Sequence, residues 1–99
     1  MAGNKPYRLH PLAWQEIEGG EGWYRQHSAD ASVEFIAEVS DAIKSIRQAP
    51  HRWPKYLHGT RRFVLGLPFS IIYLDAAEFV NIVAVAHSKR KPGYWKRRL

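Results

Sequence analysis

The sequence predicts an α+β fold in which a helical hairpin packs on one face of a four-stranded, mostly antiparallel sheet. Two successive segments in the first half have apolar residues at helical spacing, and three short apolar segments follow one another after residue 60. The chain has 99 residues, which suffices for one domain with one core. We therefore expect a single domain over residues 1–99 with the element order β-α-α-β-β-β.

Residues 6–10 alternate between apolar and polar side chains, and we expect them to form the first strand, ended by Pro11. A first helix is expected over residues 12–26. Two consecutive glycines, Gly19 and Gly20, weaken it by roughly 1 kcal/mol each relative to alanine, but they also permit close contact with a second helix. The small and apolar residues of its packing face recur at steps of four, three and four: Ala13, Ile17, Gly20 and Tyr24.

A second helix is expected from Ala29 to Gln48. Ser28 has the side chain of an N-cap, Asp30 lies in the first turn, where its charge meets the helix dipole, and Pro50 ends the helix. The short link between the helices predicts an antiparallel hairpin. The predicted apolar stripe, within which Ile36, Ile43 and Ile46 should be buried, consists of Val33, Ile36, Val39, Ile43 and Ile46.

Three strands are expected in the second half, over residues 61–65, 69–74 and 79–86. Gly66 and Pro68 separate the first two, and a hairpin loop over residues 75–78 separates the last two. The last strand is the most apolar, so we expect it to be central and buried on both faces. A single sheet covered by the helical hairpin would bury every apolar stripe.

Charge is distributed unevenly along the chain. Residues 1–43 contain three Lys/Arg and seven Asp/Glu, whereas residues 44–99 contain twelve Lys/Arg and two Asp/Glu. The last eleven residues contain six basic residues, no acidic one, and the aromatic pair Tyr94-Trp95. Such a segment attracts a polyanion or an acidic protein segment. A plain nucleic-acid-binding module is disfavoured, because both predicted helices are acidic and would not enter a groove.

Several classes of site are excluded or not expected. The chain has no cysteine, which excludes disulfides, zinc sites built on thiolates and a cysteine nucleophile. His51 and His58 lie on a predicted loop without metal-ligand spacing, so we expect no metal and no cofactor. The apolar runs are far shorter than the roughly 20 residues of a membrane span, and we expect a cytoplasmic protein that has no contact with a membrane.

Four local sequences, in order, carry a family resemblance. They are Tyr-Arg-Leu-His-Pro-Leu-Ala at 7–13, the Ser28, Ala31, Phe35 and Ile36 pattern, Pro50 followed by Trp53-Pro54, and Val-Ala-His-Ser-Lys-Arg-Lys-Pro-Gly-Tyr-Trp-Lys-Arg-Arg at 85–98. In the last, a strand delivers a histidine, then an arginine, a proline and a Tyr-Trp pair. Over residues 7–98 the chain resembles the RelE/ParE toxins of bacterial type II toxin–antitoxin systems. The resemblance implies the RelE/ParE toxin fold, inhibition of bacterial growth and neutralisation by a cognate antitoxin.

The resemblance implies two alternative targets. ParE-like toxins poison DNA gyrase, whereas RelE-like toxins cut mRNA in the ribosome by metal-free attack of the 2′-hydroxyl. Arg90 and Tyr94 can be matched to an arginine and a tyrosine of the RelE-like enzymes, but Pro92-Gly93 interrupts the spacing. The two long predicted helices are more typical of the ParE-like branch, so we favour gyrase, with the endoribonuclease as the alternative.

The candidate working surface lies where the last strand ends. If the protein is a nuclease, the catalytic residues are His87, Arg90 and Tyr94, since such a site must move protons and offset phosphate charge. Each residue also has a structural explanation: His87 could bond to a loop backbone, and the Trp95 indole could close the core. The residues expected to contact a target or nucleic acid are Arg62, Lys89, Trp95, Lys96, Arg97 and Arg98.

Overall fold

The computed structural model describes residues 4–66 and 68–99. It consists of β1 (Tyr7–Leu9), α1 (Pro11–Arg25), α2 (Ala29–Gln48), β2 (Arg61–Val64), β3 (Phe69–Asp75) and β4 (Val80–His87), with short 3₁₀ turns at Leu57–Gly59 and Lys96–Arg98. The strands form one sheet in the order β1-β4-β3-β2, in which β1 is parallel to β4 and the other pairs are antiparallel. The predicted α+β class and element order are confirmed.

Both helix starts have local causes in the sequence. The Ser28 hydroxyl accepts a hydrogen bond from the Ala31 amide at 2.9 Å, which confirms the predicted N-cap of α2. At the start of α1, the His10 ring accepts a hydrogen bond from the Leu12 amide at 3.1 Å, and Pro11 occupies the first turn. Because Pro11 has no amide hydrogen and begins the helix, β1 cannot extend further along β4.

The helical hairpin packs through Gly20, the second residue of the glycine pair. A Cβ atom built on Gly20 would lie 2.6 Å from Phe35 Cζ, so only glycine allows this contact, whereas Gly19 has nothing within 4 Å. The Phe35 ring lies 5.1 Å, centroid to centroid, from both Tyr24 and Phe69. The predicted close contact of the two helices is confirmed at Gly20.

The predicted stripe of α2 is wrong at one end. Ile36 is 42% exposed and Val33 is 68% exposed, while Ile43 and Ile46 are buried as expected. The buried face instead starts at Ser32 and continues through Phe35 and Ala42. One residue turns the helix by about 100°, and the Phe35 ring, which fills the space above Gly20, sets the phase of the first two turns.

The sheet is buried on both faces at β4, which confirms its predicted central position. On the helix side lie Ile82 and Val85. On the opposite face, Val83 and Ala84 pack against Trp95. Ile72 pairs with Ala84 and Tyr73 with Ile82, so Val83 is an extra residue on β4. Val83 and Ala84 therefore lie on the same face, and the rest of β4 presents Val85 and His87 to the helices.

We expect Gly20→Ala to destabilise the protein by about 1–3 kcal/mol, because the new methyl group overlaps the Phe35 ring and overpacks the hairpin. Gly19→Ala is the matched control on the adjacent residue and should stabilise by about 0.5–1 kcal/mol through helix propensity alone. Urea unfolding of both variants measures the difference. Equal changes in the two variants would contradict the packing assigned to Gly20.

Candidate functional site

After β4 the chain turns back across the sheet end as the carboxy-terminal segment, residues 88–99. The Ser88 amide donates to the Pro68 carbonyl at 2.7 Å and the Arg90 amide to the His87 carbonyl at 3.0 Å. Gly93 has a φ of +82°, a conformation that glycine adopts without strain. The Pro92-Gly93 step therefore makes a turn, after which the Tyr94 amide donates to the Lys91 carbonyl and a final 3₁₀ turn follows.

The free edge of β4 is closed by side chains. Beyond Ile82, where β1 ends, the Val85 amide donates to the Glu16 carboxylate at 3.0 Å. At the same edge the Val83 carbonyl accepts a hydrogen bond from Arg98 at 3.2 Å. These two strand groups thus find partners on α1 and on the carboxy-terminal segment, as buried backbone groups require.

Glu16 is the centre of this network. Its carboxylate accepts the Tyr94 hydroxyl at 2.5 Å and both terminal nitrogens of Arg98 at 2.8 and 3.0 Å. The Glu16 and Arg98 side chains are 15% and 11% exposed. Counting the Val85 amide, one carboxylate thus takes four hydrogen bonds from three residues, which fastens the carboxy-terminal segment to α1.

Tyr94 is held as a neutral donor. Burial raises the pKa of its phenol well above the usual value, and the hydrogen bond to the negative Glu16 carboxylate raises this pKa further. The nearby charges of Arg98 and Arg90 lower it only in part. At neutral pH the hydroxyl therefore keeps its proton and directs it at Glu16.

Arg90 lies on the outer face of the Tyr94 ring, with its guanidinium carbon 3.8 Å from the ring centroid. Arg90 is exposed and has no carboxylate partner among residues 4–66 and 68–99. Its guanidinium is therefore oriented by an aromatic ring and remains available to an anion.

His87 makes the hydrogen bond to a loop backbone that the sequence analysis gave as its structural explanation. Its Nδ1 accepts a hydrogen bond from the Lys89 amide at 3.1 Å, which closes the turn after β4. The ring contacts Phe69 and Trp23 edge-on, at centroid distances of 5.1 and 6.1 Å. Because Nδ1 accepts, the neutral ring carries its proton on Nε2.

Six of the nine predicted site residues line one or both of two concave surfaces, which share His87, Arg90 and Tyr94, whereas Lys89, Lys96 and Arg97 line neither. The helix-side groove, of about 470 Å³, runs between α1 and the carboxy-terminal segment and includes Glu16 and Arg98. The sheet-face pocket, of about 210 Å³, lies on the face of the sheet opposite the helices and includes Arg62 and Lys91. No acidic side chain of the described residues lines the sheet-face pocket.

The structure distinguishes exposed from enclosed members of the predicted target-binding set. Trp95 is 1% exposed and packs on Val83 and Ala84, so its indole closes the small core on the sheet face opposite the helices. Arg98 is engaged by Glu16. The members that are exposed at the surface are Arg62, Lys89, Lys96 and Arg97.

Arg61 and Arg62 point to opposite faces of the sheet, as the strand alternation requires. The Arg62 guanidinium carbon lies 4.9 Å from the Tyr56 ring centroid, at the sheet-face pocket. Arg61 donates to the Trp53 carbonyl at 2.8 Å on the other side. Tyr73, beside it, is fully buried and donates to the Pro50 carbonyl at 2.6 Å, so it is a core residue.

Sequence reasoning did not identify Glu16 as a site residue. Glu16 lies three residues after Ala13 and four before Gly20, both of which are buried. This i+3, i+4 spacing puts the carboxylate on the packed face, and an acidic residue at such a position requires a basic or hydrogen-bonding partner. That spacing is the signal that could have found it.

The comparisons with known proteins agree with this geometry. A family model described as the ParE toxin of the type II toxin–antitoxin system parDE matches residues 7–92. The chain belongs to the ParE toxin family. Among solved structures, it is similar to "Chromosomal ParDE TA system from P. aeruginosa", with a TM-score of 0.74, 13% identity, and coverage of 86% of this chain and 97% of that chain. At that identity the likeness shows the fold. A search of curated protein sequences gives no significant match.

Within residues 4–66 and 68–99, no three His, Asp or Glu side chains are grouped so that they could hold a metal ion. Over the same residues, neither helix is long and apolar enough to cross a membrane.

We expect Glu16→Ala to lower the unfolding free energy of this ParE-family toxin by about 3 kcal/mol, because it leaves Arg98, Tyr94 and the Val85 amide without their partner. Glu21→Ala, on the same helix, is the control. Glu21 pairs with Arg25 in solvent, and its loss should change stability by no more than about 0.5 kcal/mol. Denaturant unfolding compares the two. A loss no larger for Glu16 than for Glu21 would refute the network's energetic role.

Proposed function

We propose that this ParE-family toxin acts in the cytoplasm by poisoning DNA gyrase and is neutralised by a cognate antitoxin. The observation that carries the choice of target is the state of Tyr94. Its hydroxyl is committed to Glu16 with a raised pKa, so it is unsuited to accept or relay a proton at neutral pH. The site is therefore better suited to binding than to proton transfer.

The exposed basic groups near the sheet end supply the binding surface for this function. They are unpaired with carboxylates among the described residues, and they surround the buried Trp95 and Arg98, which hold the backbone in place. A rigid backbone that presents cationic side chains to solvent favours contact with an acidic protein surface or with DNA phosphates. We propose as the contact surface Lys89, Arg90, Lys91, Lys96 and Arg97.

The alternative function is a ribosome-dependent mRNA endoribonuclease. The sheet-face pocket favours it in one respect: Arg62 and Arg90 line the same pocket, and guanidinium groups match phosphate oxygens. Proton transfer would then depend on His87, whose Nδ1 already accepts a backbone hydrogen bond. We rank this function second because the pocket offers charge stabilisation without a free acid–base pair.

The test combines purified gyrase with induction in cells. We expect the purified toxin to inhibit supercoiling and to trap cleaved DNA complexes, and induction to raise DNA damage signalling. Tyr94→Phe should retain at least about half of this activity, because the ring and its contact with Arg90 remain. Codon-phased mRNA ends, together with a loss of roughly 100-fold in Tyr94→Phe or His87→Ala, would instead establish the nuclease.

The antitoxin is expected to cover the basic surface with an acidic segment that is disordered when free. Its association rate with the toxin should therefore fall as salt rises from 50 to about 500 mM, while the dissociation rate changes less. Removing positive charge with Lys96→Ala/Arg97→Ala should flatten this dependence, and Lys44→Ala, on exposed α2, is the control. Salt-independent association of the unchanged toxin would contradict the proposed acidic contact.

A further inference from the structure

We propose that Glu16 is a positioning residue of this toxin. It holds the carboxy-terminal segment against α1, and through the Tyr94 ring it fixes the position of Arg90. The proposal rests on the proposed function only in so far as the basic groups of that segment contact the target. Glu16 itself lies behind the contact surface, on the acidic helix α1.

The first step is the attachment of the final 3₁₀ turn to Glu16. Tyr94 and Arg98 are four residues apart, and both bond to the same carboxylate. Between them, Trp95 is buried against the opposite face of the sheet. The turn is thus fastened on both sides, and the two residues left outside, Lys96 and Arg97, are exposed in a fixed direction.

The second step is the position of Arg90. Its guanidinium stacks 3.8 Å from the Tyr94 ring centroid, and it has no carboxylate partner among residues 4–66 and 68–99. The direction in which it presents its charge therefore depends on where the carboxy-terminal segment places that ring. The segment is held at Glu16 by the bidentate Arg98 contact together with the Tyr94 hydroxyl, so a residue on α1 helps to place a cation of the opposite wall of the helix-side groove.

The third step concerns why an ion pair, and not an apolar contact, joins α1 to the carboxy-terminal segment. A buried ion pair is often no more stabilising than well-packed apolar residues of the same volume, so stability alone does not require one. An ion pair with fixed directions, however, permits one arrangement of the segment where an apolar contact would permit several. The bidentate Glu16–Arg98 contact thus defines geometry more than it adds stability.

The experiment compares Glu16→Ala and Glu16→Gln with Ile17→Ala, a buried neighbour on α1 whose truncation also destabilises the fold. Backbone hydrogen exchange and the toxin concentration for half-maximal inhibition of supercoiling are measured where all variants are folded. In Glu16→Ala, the Val85, Lys96 and Arg98 amides should lose protection and the concentration should rise about tenfold. Glu16→Gln should show a smaller rise, since its amide oxygen still accepts from Tyr94.

Ile17→Ala should leave both the segment's exchange and the inhibitory concentration unchanged. Two results would overturn the proposal: a Glu16→Ala protein that frees the segment yet inhibits like the unchanged toxin, or an equal loss of inhibition in Ile17→Ala. If Glu16→Ala does not fold, Glu16→Gln and Arg98→Lys carry the same comparison. If the unchanged toxin does not inhibit gyrase, the proposed function fails, and growth inhibition on induction then tests the positioning role separately.

Discussion

The structure depends on how the open edge of β4 is closed. β1 covers only residues 80–82 of this central strand, because Pro11 ends the strand and begins α1. Backbone groups further along would be left at an unprotected edge, which invites pairing with other chains. Glu16, one turn into α1, accepts a hydrogen bond from the Val85 amide at this edge. Arg98, in the final 3₁₀ turn, donates to the Val83 carbonyl there. The shortness of β1 therefore leaves this edge to be closed by α1 and the carboxy-terminal segment.

This closure explains part of the charge asymmetry. Among the described residues, the acidic first half and the basic last segment form one ion pair inside the fold, Glu16–Arg98. The remaining basic residues of the segment face solvent, and those that line the sheet-face pocket have no acidic side chain beside them among the described residues. The internal pair holds the segment in place, and the external charges are free for a partner. One segment thus both closes part of the core and presents the proposed binding surface.

The sequence could predict what periodicity and breakers encode: both helices, the Ser28 cap, the central β4 and the order of elements. It could not predict the phase of α2 at Ile36, because that phase depends on the Phe35 ring meeting Gly20 across the hairpin. It also missed Glu16, whose partners are 69 to 82 residues away in sequence. Composition predicted a basic aromatic surface, but whether Trp95 faces out or in depends on the turn at Gly93. Long-range contacts of single side chains decide these points.

The Pro92-Gly93 turn also bears on which chemistry the site supports. By reversing the chain there, it brings the Tyr94 hydroxyl to Glu16 on the helix side and the Trp95 indole to the opposite face of the sheet. A tyrosine that donates to a carboxylate and carries a guanidinium on its ring is a scaffold for a cation. A proton-transfer tyrosine would need a hydroxyl open to the substrate and a pKa nearer neutrality. The same two residues that interrupt the RelE-like spacing therefore place Tyr94 where its ring supports the Arg90 guanidinium, which is the physical basis for proposing gyrase as the target.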